Sequence, residues 1–529
     1  MLFTSYAFIG FLAVMLAAYF ITPKKFRWIT LLLGSYVFYA FSGIYNLIFI
    51  AFTTLTAYVV SRLIARAKTR EEIYVTANRQ TLSKEERKAY RARGKKKRFL
   101  ILIGGLVLNF GVLAVLKYTA FAVNNVNGII AAFGGAKLSV PNLILPLGIS
   151  FYTFQTCGYL IDVYRGRAEA EKNIFKLALF TSFFPQLVQG PISRYKDLAH
   201  QLTEGHSFEL KTFTFGMYRV LWGYFKKLVI ADRVLVVMKT LLSDTERYNG
   251  AYVLLLILIY SVQIYADFTG GIDITIGIAE SMGIKLTENF DRPFSSRSTK
   301  EYWRRWHITM GSWFRDYIFL PLSVTKPMMK LNKRLSGKVG RVAASKTVAY
   351  LASAVTWFVT GLWHGAAWNF IVWGMLNVLV IIVSETLEPL YEKFHARFPR
   401  LTASRPYGYF MAVRTFLLMG LIRSLDCYRN VPVTFLMWGS MLSMRGFGEI
   451  LSGGILKLGL TLADIIIIVL GIVLMLTVSN LHAKGSVRER LYARPVLCSV
   501  TMGALFVAVI LLGAYGFGYD ASQFIYDQF

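Results

Sequence analysis

A chain of 529 residues that is 55% hydrophobic, 17% charged and of mean hydropathy +0.49 has too little polar surface to cover a soluble core of its size. Its formal charge of +30 collects in the connectors between apolar stretches, which excludes a nucleic-acid surface and points to topology and to contact with membrane lipids. Cys157, Cys427 and Cys498 each fall in or beside an apolar stretch without CxxC spacing, so neither a disulfide frame, a zinc site nor a thiol nucleophile is expected. Apolar segments run at 2–22, 28–41, 44–64, 99–117, 143–161, 174–190, 213–240, 250–270, 347–363, 366–384, 407–422, 459–479 and 496–516. A helical span takes roughly 20 apolar residues, so these predict an all-α polytopic protein of about ten to thirteen spans plus re-entrant or interfacial helices. The first segment lacks a basic n-region and an A-x-A site and is read as a retained span. No inverted repeat of the transporter kind is visible.

The first connector, Lys24-Lys25-Phe26-Arg27, is basic, whereas the Phe41–Asn46 turn carries no charge. The stretch 65–98 follows as a basic loop, its run Arg66–Arg98 holding thirteen lysines and arginines against four glutamates; Ser83–Arg87 looks like the capped start of a charged helix on the membrane surface. A second run, Lys326 to Lys346, has no acid. Basic connectors stay in the cytosol, which places the N-terminus outside if three spans precede Arg66. Between the two runs the stretch 285–325 is too polar for a simple span and too aromatic for a solvated loop. Residues 140–375 are expected to form a catalytic core, 376–529 a transmembrane scaffold, and 1–529 one integral membrane unit.

Six histidines are present. His200, His206, His395 and His482 sit in polar connectors and read as surface residues. His364 lies at the junction of two apolar segments among Gly361, Gly365, Ala366 and Ala367. An ionisable group at membrane depth is a functional candidate, and a neutral imidazole suits a general base; a histidine hydrogen-bonded between helices is the competing reading. His307 lies in Glu301–Tyr317. On one continuous helix, Trp303, Trp306, Met310, Trp313 and Tyr317 would share a face, with Arg304, His307, Gly311 and Arg315 on an adjacent strip. Either that strip binds the phosphates of a donor, or the helix is an interfacial anchor. There is no GxSxG elbow, P-loop or HExxH pair.

Beyond the histidines, ordered blocks carry a family resemblance. They are Leu145-Pro146-Leu147-Gly148-Ile149-Ser150-Phe151-Tyr152-Thr153-Phe154-Gln155, Gln189-Gly190-Pro191-Ile192-Ser193-Arg194-Tyr195, Phe225-Lys226-Lys227-Leu228-Val229-Ile230-Ala231-Asp232 and Tyr265-Ala266-Asp267-Phe268-Thr269-Gly270. Asn289-Phe290 leads into Trp303–Tyr317, Gly361–Asn369 follows, and the chain ends in Phe524–Phe529. With these blocks the sequence resembles the membrane-bound O-acyltransferase family. The branch is the bacterial one that includes the alginate O-acetyltransferase membrane subunit and the teichoic acid D-alanine transferase. It departs from that pattern at Asp267–Asp273, where Gly271 stands in a run that more often alternates serine and aromatic residues, and at Asp527.

The resemblance implies a ring of tilted helices around a central tunnel, with His364 in the place of the catalytic histidine and His307 in that of the second, supporting one. It implies no permanently bound cofactor or metal. The acyl donor would be acetyl-CoA or another cytosolic thioester, and the acceptor hydroxyls would belong to an exported polysaccharide or wall polymer. An extracytoplasmic esterase-like partner would receive the acyl group, and the chain would sit in the bacterial cytoplasmic membrane. Trp303, Arg304, Trp306, Arg315 and Asn369 are the candidate substrate contacts, Asn369 or the Arg304/His307 strip serving as oxyanion stabiliser. D-alanyl transfer is the alternative within the family, though 165 residues follow His364, more than that subfamily suggests. A transporter or flippase with pathway histidines is the alternative from another class.

Overall fold

The structure is a computed structural model and describes residues 2–515. The terminal Phe524–Phe529 block lies outside them. Among the described residues no strand forms, and seven helices are long and apolar enough to cross a membrane: Ile44–Ala77, Lys84–Ala132, Ala251–Ser281, Arg341–His364, Trp368–Thr386, Leu462–His482 and Pro495–Leu512. Tyr6–Ile21 and Val431–Ser443 are shorter and also apolar. The chain divides into two compact units, Met1–Gly216 with Ile278–Thr287, and Met217–Gly277 with the chain from Glu288 on.

The first unit holds α1 (Tyr6–Ile21), α2 (Arg27–Ala40), α3 (Leu47–Ala77), α4 (Lys84–Ala132), α5 (Ile149–Arg165), α6 (Ile174–Ser182), α7 (Phe184–Leu187) and α8 (Tyr195–Thr203). Ser83 and Glu86 form the expected reciprocal cap, but the helix they start does not stop at the surface. Lysine, arginine, glutamate and alanine favour helix, and no proline intervenes, so the charged turns run straight into the apolar segment. The result is a 49-residue helix, about 74 Å long at 1.5 Å per residue. It packs against α3, with Tyr74 stacked on Tyr90 at 4.3 Å and Glu71 paired with Arg98. The basic stretch 65–98 is therefore a helical hairpin.

The apolar segment 174–190 is likewise no span. It breaks at Phe183 into α6 and α7, both buried, with Pro185 in the first turn of α7. Broken backbone at membrane depth is tolerated only where protein groups satisfy it. Here Gln155 donates Nε2 to the Phe180 carbonyl at 2.7 Å and accepts from Gln186 Nε2 at 3.1 Å. Ser193 donates in turn to Gln186 at 2.9 Å. Two of the quoted blocks thus meet as one polar ladder. Gly148 (φ +70°) opens α5 against the Leu187 carbonyl, where a Cβ would collide.

The second unit contains most of α9 (Leu210–Tyr224) and α11 (Ala251–Ser281), with α10 (Asp232–Ser243) between them. The apolar segment 213–240 is interrupted by a π-helical turn at Phe225–Ala231 whose seven residues are all buried. The wider turn buries two adjacent lysines. Lys227 Nζ lies 2.7 Å from Asp232 and 2.6 Å from Asp267, while Lys226 Nζ lies 2.5 Å from Asp273 and 2.8 Å from Thr269.

Downstream come α12 (Thr299–Arg305), α13 (Ile308–Phe314), α14 (Leu320–Ser323), α15 (Lys326–Val339), α16 (Arg341–His364) and α17 (Trp368–Thr386). The basic run 326–346 is helical too, comprising α15 and the first turn of α16. Helices α16 and α17 form a hairpin joined by Gly365-Ala366-Ala367. Their backbones touch: a Cβ on Gly374 would strike the Trp357 carbonyl, and one on Gly361 the Phe370 carbonyl. The remainder is α18 (Glu388–Arg397), α19 (Pro399–Thr402), α20 (Arg405–Tyr428), α21 (Val431–Ser440), α22 (Phe447–Leu451), α23 (Leu462–His482), α24 (Val487–Tyr492) and α25 (Pro495–Leu512). Trp373 of α17 packs with Ile422 and Leu425 of α20, and α23 and α25 pack on the π-helical turn.

Candidate active site

Helix α16 ends on His364, and the chain turns back at once into α17. The close glycine packing of the hairpin brings Trp373 to one edge of the His364 ring and Trp363 to another. Both centroids lie 4.9 Å away in edge-on geometry. Trp303 joins this wall, 5.5 Å from Trp373 and 4.8 Å from Trp357, its indole nitrogen donating to Asn377 Oδ1 at 3.0 Å. Asn369, buried at the start of α17, donates to the Leu425 carbonyl at 3.3 Å and ties the turn to α20.

His307 does not lie on a continuous helix. The backbone breaks between α12 and α13, and His307 takes φ +49°, a left-handed conformation that costs a non-glycine residue on the order of 1–3 kcal/mol. The segment Asn289–Asp291 over-determines it. Phe290 bridges Trp306, the Asp291 amide donates to the Arg305 carbonyl at 2.9 Å, and the Ile308 amide donates to the Asn289 carbonyl at 2.9 Å. The expected strip is therefore broken. His307 is buried, 1% exposed, whereas Arg304 and Arg315 are exposed, Arg315 pairing with Asp316 at 2.9 Å. The aromatic face is not an interfacial anchor either, because Trp306, Met310, Trp313 and Tyr317 are buried.

Asn289 Oδ1 receives the Thr309 amide at 3.1 Å and the Thr309 hydroxyl at 3.0 Å, and stands 3.2 Å from His307 Nδ1. An amide oxygen only accepts, so Nδ1 carries the proton and Nε2 the lone pair. Burial, and secondarily the Arg423 guanidinium, hold His307 below its ordinary pKa, so the ring is neutral. Phe268 packs edge-on at 4.9 Å, and Trp363 lies 6.2 Å away, its indole touching both imidazoles. Phe268 directly follows Asp267, so the buried Lys227 group anchors the stretch of α11 that supports His307.

Arg423 was not among the residues singled out from sequence. It is buried on α20, with its guanidinium 4.2 Å from the Trp306 ring centroid and 3.4 Å from the Tyr302 hydroxyl. Its signal was present: a cation beside the apolar segment 407–422 is a functional candidate on the same grounds as His364. Asn289 and Trp373 carried no such signal, since their roles come from contacts across the fold. Of the other histidines, His206 bonds the Gln201 carbonyl at 2.8 Å, and His482 ends α23.

Two imidazoles against one indole, the buried one held neutral, suit proton transfer. Residues 170–421 match the family model for MBOAT, the membrane-bound O-acyltransferase family, and the chain belongs to that family. It is 34% identical over 375 residues to the "probable alginate O-acetylase" of Azotobacter vinelandii, covering 71% of this chain and 66% of that protein. It is 31% identical to the peptidoglycan O-acetyltransferase of Helicobacter pylori (58% and 59% covered) and 29% identical to the teichoic acid D-alanyltransferase of Bacillus subtilis (50% and 64% covered). The match thus spans about two thirds or less of the length of each of these relatives. The five quoted blocks from Gln189 to Asn369 fall within the segment the family model covers, and Leu145–Gln155 precedes it.

Proposed function

We propose that this chain moves an acyl group, acetyl foremost, from a cytosolic thioester such as acetyl-CoA towards hydroxyls of an exported polysaccharide or cell-wall polymer, from within the bacterial cytoplasmic membrane. The observation that carries the reading is the position of His364 at the turn between two apolar helices of span length, between Trp363 and Trp373 and one indole away from a second, neutral imidazole. The polymer O-acetyltransferases among its relatives support the acceptor class.

In this mechanism His364 takes the proton of the attacking hydroxyl as its oxygen forms the bond to the thioester carbonyl. The C–S bond then breaks, and the thiolate leaves with the proton from His364. General-base assistance of this kind contributes roughly 10²–10⁴-fold, and the aromatic cage excludes water that would otherwise hydrolyse the thioester. His307, with its Nδ1 proton fixed by Asn289, offers Nε2 towards the reacting groups. Trp303, Trp306 and Asn369 hold the walls, and exposed Arg304 and Arg315 meet the phosphates of the donor. The attacking hydroxyl belongs to an extracytoplasmic esterase-like partner, which passes the acyl group to a polymer hydroxyl in a second transesterification and recovers its own hydroxyl.

Sealed membrane vesicles of inverted orientation test this. Labelled acetyl-CoA added outside them should place label on acceptor within the lumen. Label from a D-alanyl carrier thioester, and none from acetyl-CoA, would select the D-alanyl reading instead, which the Bacillus relative supports.

A further inference from the structure

The hairpin of α3 and α4 carries its charge in an order that topology does not require. Its stretch 66–98 holds thirteen lysines and arginines against four glutamates. Three of the cations are engaged within the hairpin: Lys68 with Glu72 at 3.9 Å, Arg98 with Glu71, and Arg87 with the Arg79 carbonyl at 3.3 Å. Glu86 is occupied by the cap at Ser83. Lys84, Lys88, Arg91 and Lys95 are all exposed and make no ion pair among the described residues. Their spacings of four, three and four residues place them on one face of α4. The result is a cationic stripe about 17 Å long at 1.5 Å per residue.

Two ordinary uses of such charge fall short. Retention of a connector in the cytosol needs basic residues near the ends of the spans, not a folded arm. Here the arm is folded: Ser83 and Glu86 cap its tip, Tyr74 stacks on Tyr90, and α4 continues unbroken into its apolar part at Phe99. Attraction to anionic headgroups fades within a Debye length, about 8 Å at physiological ionic strength. Along the axis from Phe99, Lys95 is about 6 Å out, but Arg91, Lys88 and Lys84 are about 12, 17 and 22 Å out. Most of the stripe therefore faces anions in solution. A convex helix face does not enclose a small molecule as a pocket does. It attracts a multiply charged one, through a field that accelerates association by roughly 10–10³-fold.

We propose that the face of α4 bearing Lys84, Lys88, Arg91 and Lys95 attracts the phosphates of the acyl donor, a coenzyme A thioester, and so speeds its association with the chain. This rests on the cytosolic-donor reading above and adds to it the surface that first meets the donor. The four side chains act as charges toward the phosphates and make no contact with the thioester.

The test is association of coenzyme A, and of pantetheine, which lacks the phosphates, with the full chain in phosphatidylcholine nanodiscs. Surface plasmon resonance reads both at about 20 and about 300 mM salt. In the parent, high salt should slow coenzyme A association about tenfold and leave pantetheine unchanged. In the fourfold variant Lys84→Gln, Lys88→Gln, Arg91→Gln and Lys95→Gln, coenzyme A should associate about fivefold more slowly at low salt, and most of the salt dependence should vanish. Replacing the three lysines by arginine should leave the parental rates. Glutamine favours helix, and Arg66, Arg70, Lys96 and Lys97 keep the connector basic. Melting temperature and labelling of a cysteine at Ser83 check fold and sidedness; where the fourfold variant fails either, Lys84→Gln with Lys88→Gln at the tip replaces it. Parental coenzyme A rates in the variant, an equal loss for pantetheine, or no coenzyme A binding by the parent overturns the proposal. Weaker binding of the variant to phosphatidylglycerol vesicles with coenzyme A unaffected assigns the stripe to headgroups and overturns it too. Acyl transfer is not read. A parent that binds coenzyme A through the stripe and transfers nothing fails the proposed function alone; transfer with salt-insensitive association fails this inference alone.

Discussion

His307 Nδ1 and Asn289 Oδ1 stand 3.2 Å apart, and because the same oxygen also receives two groups from Thr309, the contact assigns the imidazole its tautomer. The left-handed backbone at His307 is tolerated because this carboxamide and the Phe290–Trp306 bridge hold it.

Asn289→Ala should therefore slow acyl transfer without abolishing it, by about 10²-fold if the imidazole is misplaced by about an ångström. His307→Ala should cost at least as much, and His395→Ala, on the exposed α18, should cost nothing measurable. Turnover assays on the three variants at matched membrane abundance check this. Equal and negligible effects of His307→Ala and His395→Ala would reduce His307 to packing.

Arg423 should matter through Trp306 and through charge. A desolvated cation over an indole contributes about 2 kcal/mol, so Arg423→Met should lower the melting temperature, and Arg423→Lys should rescue it poorly because the planar stack is lost. The sign for pH follows from the causes of the His307 shift. Burial is the larger and Arg423 the smaller, both disfavouring imidazolium, so removing Arg423 raises the His307 pKa but leaves it below its ordinary value. The acid limb of the pH–rate profile should then move to slightly higher pH in Arg423→Met. A limb that moves to lower pH contradicts the assignment.

The buried Lys227 group predicts a cost in folding. With Lys227 between Asp232 and Asp267, all at 5% exposure or less, Lys227→Met removes the cation that two desolvated carboxylates share. Breaking such a set costs about 3–5 kcal/mol. Reduced accumulation of the variant, read by immunoblot against Asp244→Ala in an exposed turn, checks this.

Seven of the apolar segments were legible as spans because lipid exposure imposes long apolar runs, whereas 174–190 and 213–240 are broken, and the turn that carries His364 was legible as the junction of two apolar segments. The break at Trp306–His307 was hidden. Glu301–Tyr317 has good helical periodicity, and what overrides it is backbone pairing with Asn289–Asp291, which pattern along one segment cannot reveal. The same holds at 213–240, where a π-helical turn buries both Lys226 and Lys227. The charged helix at Ser83 was foreseen with its cap, but not its continuation into the membrane, because charge marks where a helix leaves the bilayer and not where it ends.

Sidedness is open to a direct test. Single cysteines at Ser42, Ser83 and Ser336, in a background without Cys157, Cys427 and Cys498, are treated with a membrane-impermeant maleimide on intact cells. Ser42 should label at once, and Ser83 and Ser336 only after permeabilisation. External labelling of Ser83 would reverse the topology and remove the route for a cytosolic donor.

The central claim is that His364 is the base. The measurement that tests it most directly is transfer of acyl label from thioester to acceptor by purified, reconstituted His364→Ala and His364→Gln proteins, alongside the parent. Both should insert, elute and melt like the parent, since the backbone contact that holds the hairpin is made by Gly361 and Gly374. Transfer should fall to background, a loss of at least about 10²–10⁴-fold. Transfer near the parental rate in either well-folded variant would contradict the account.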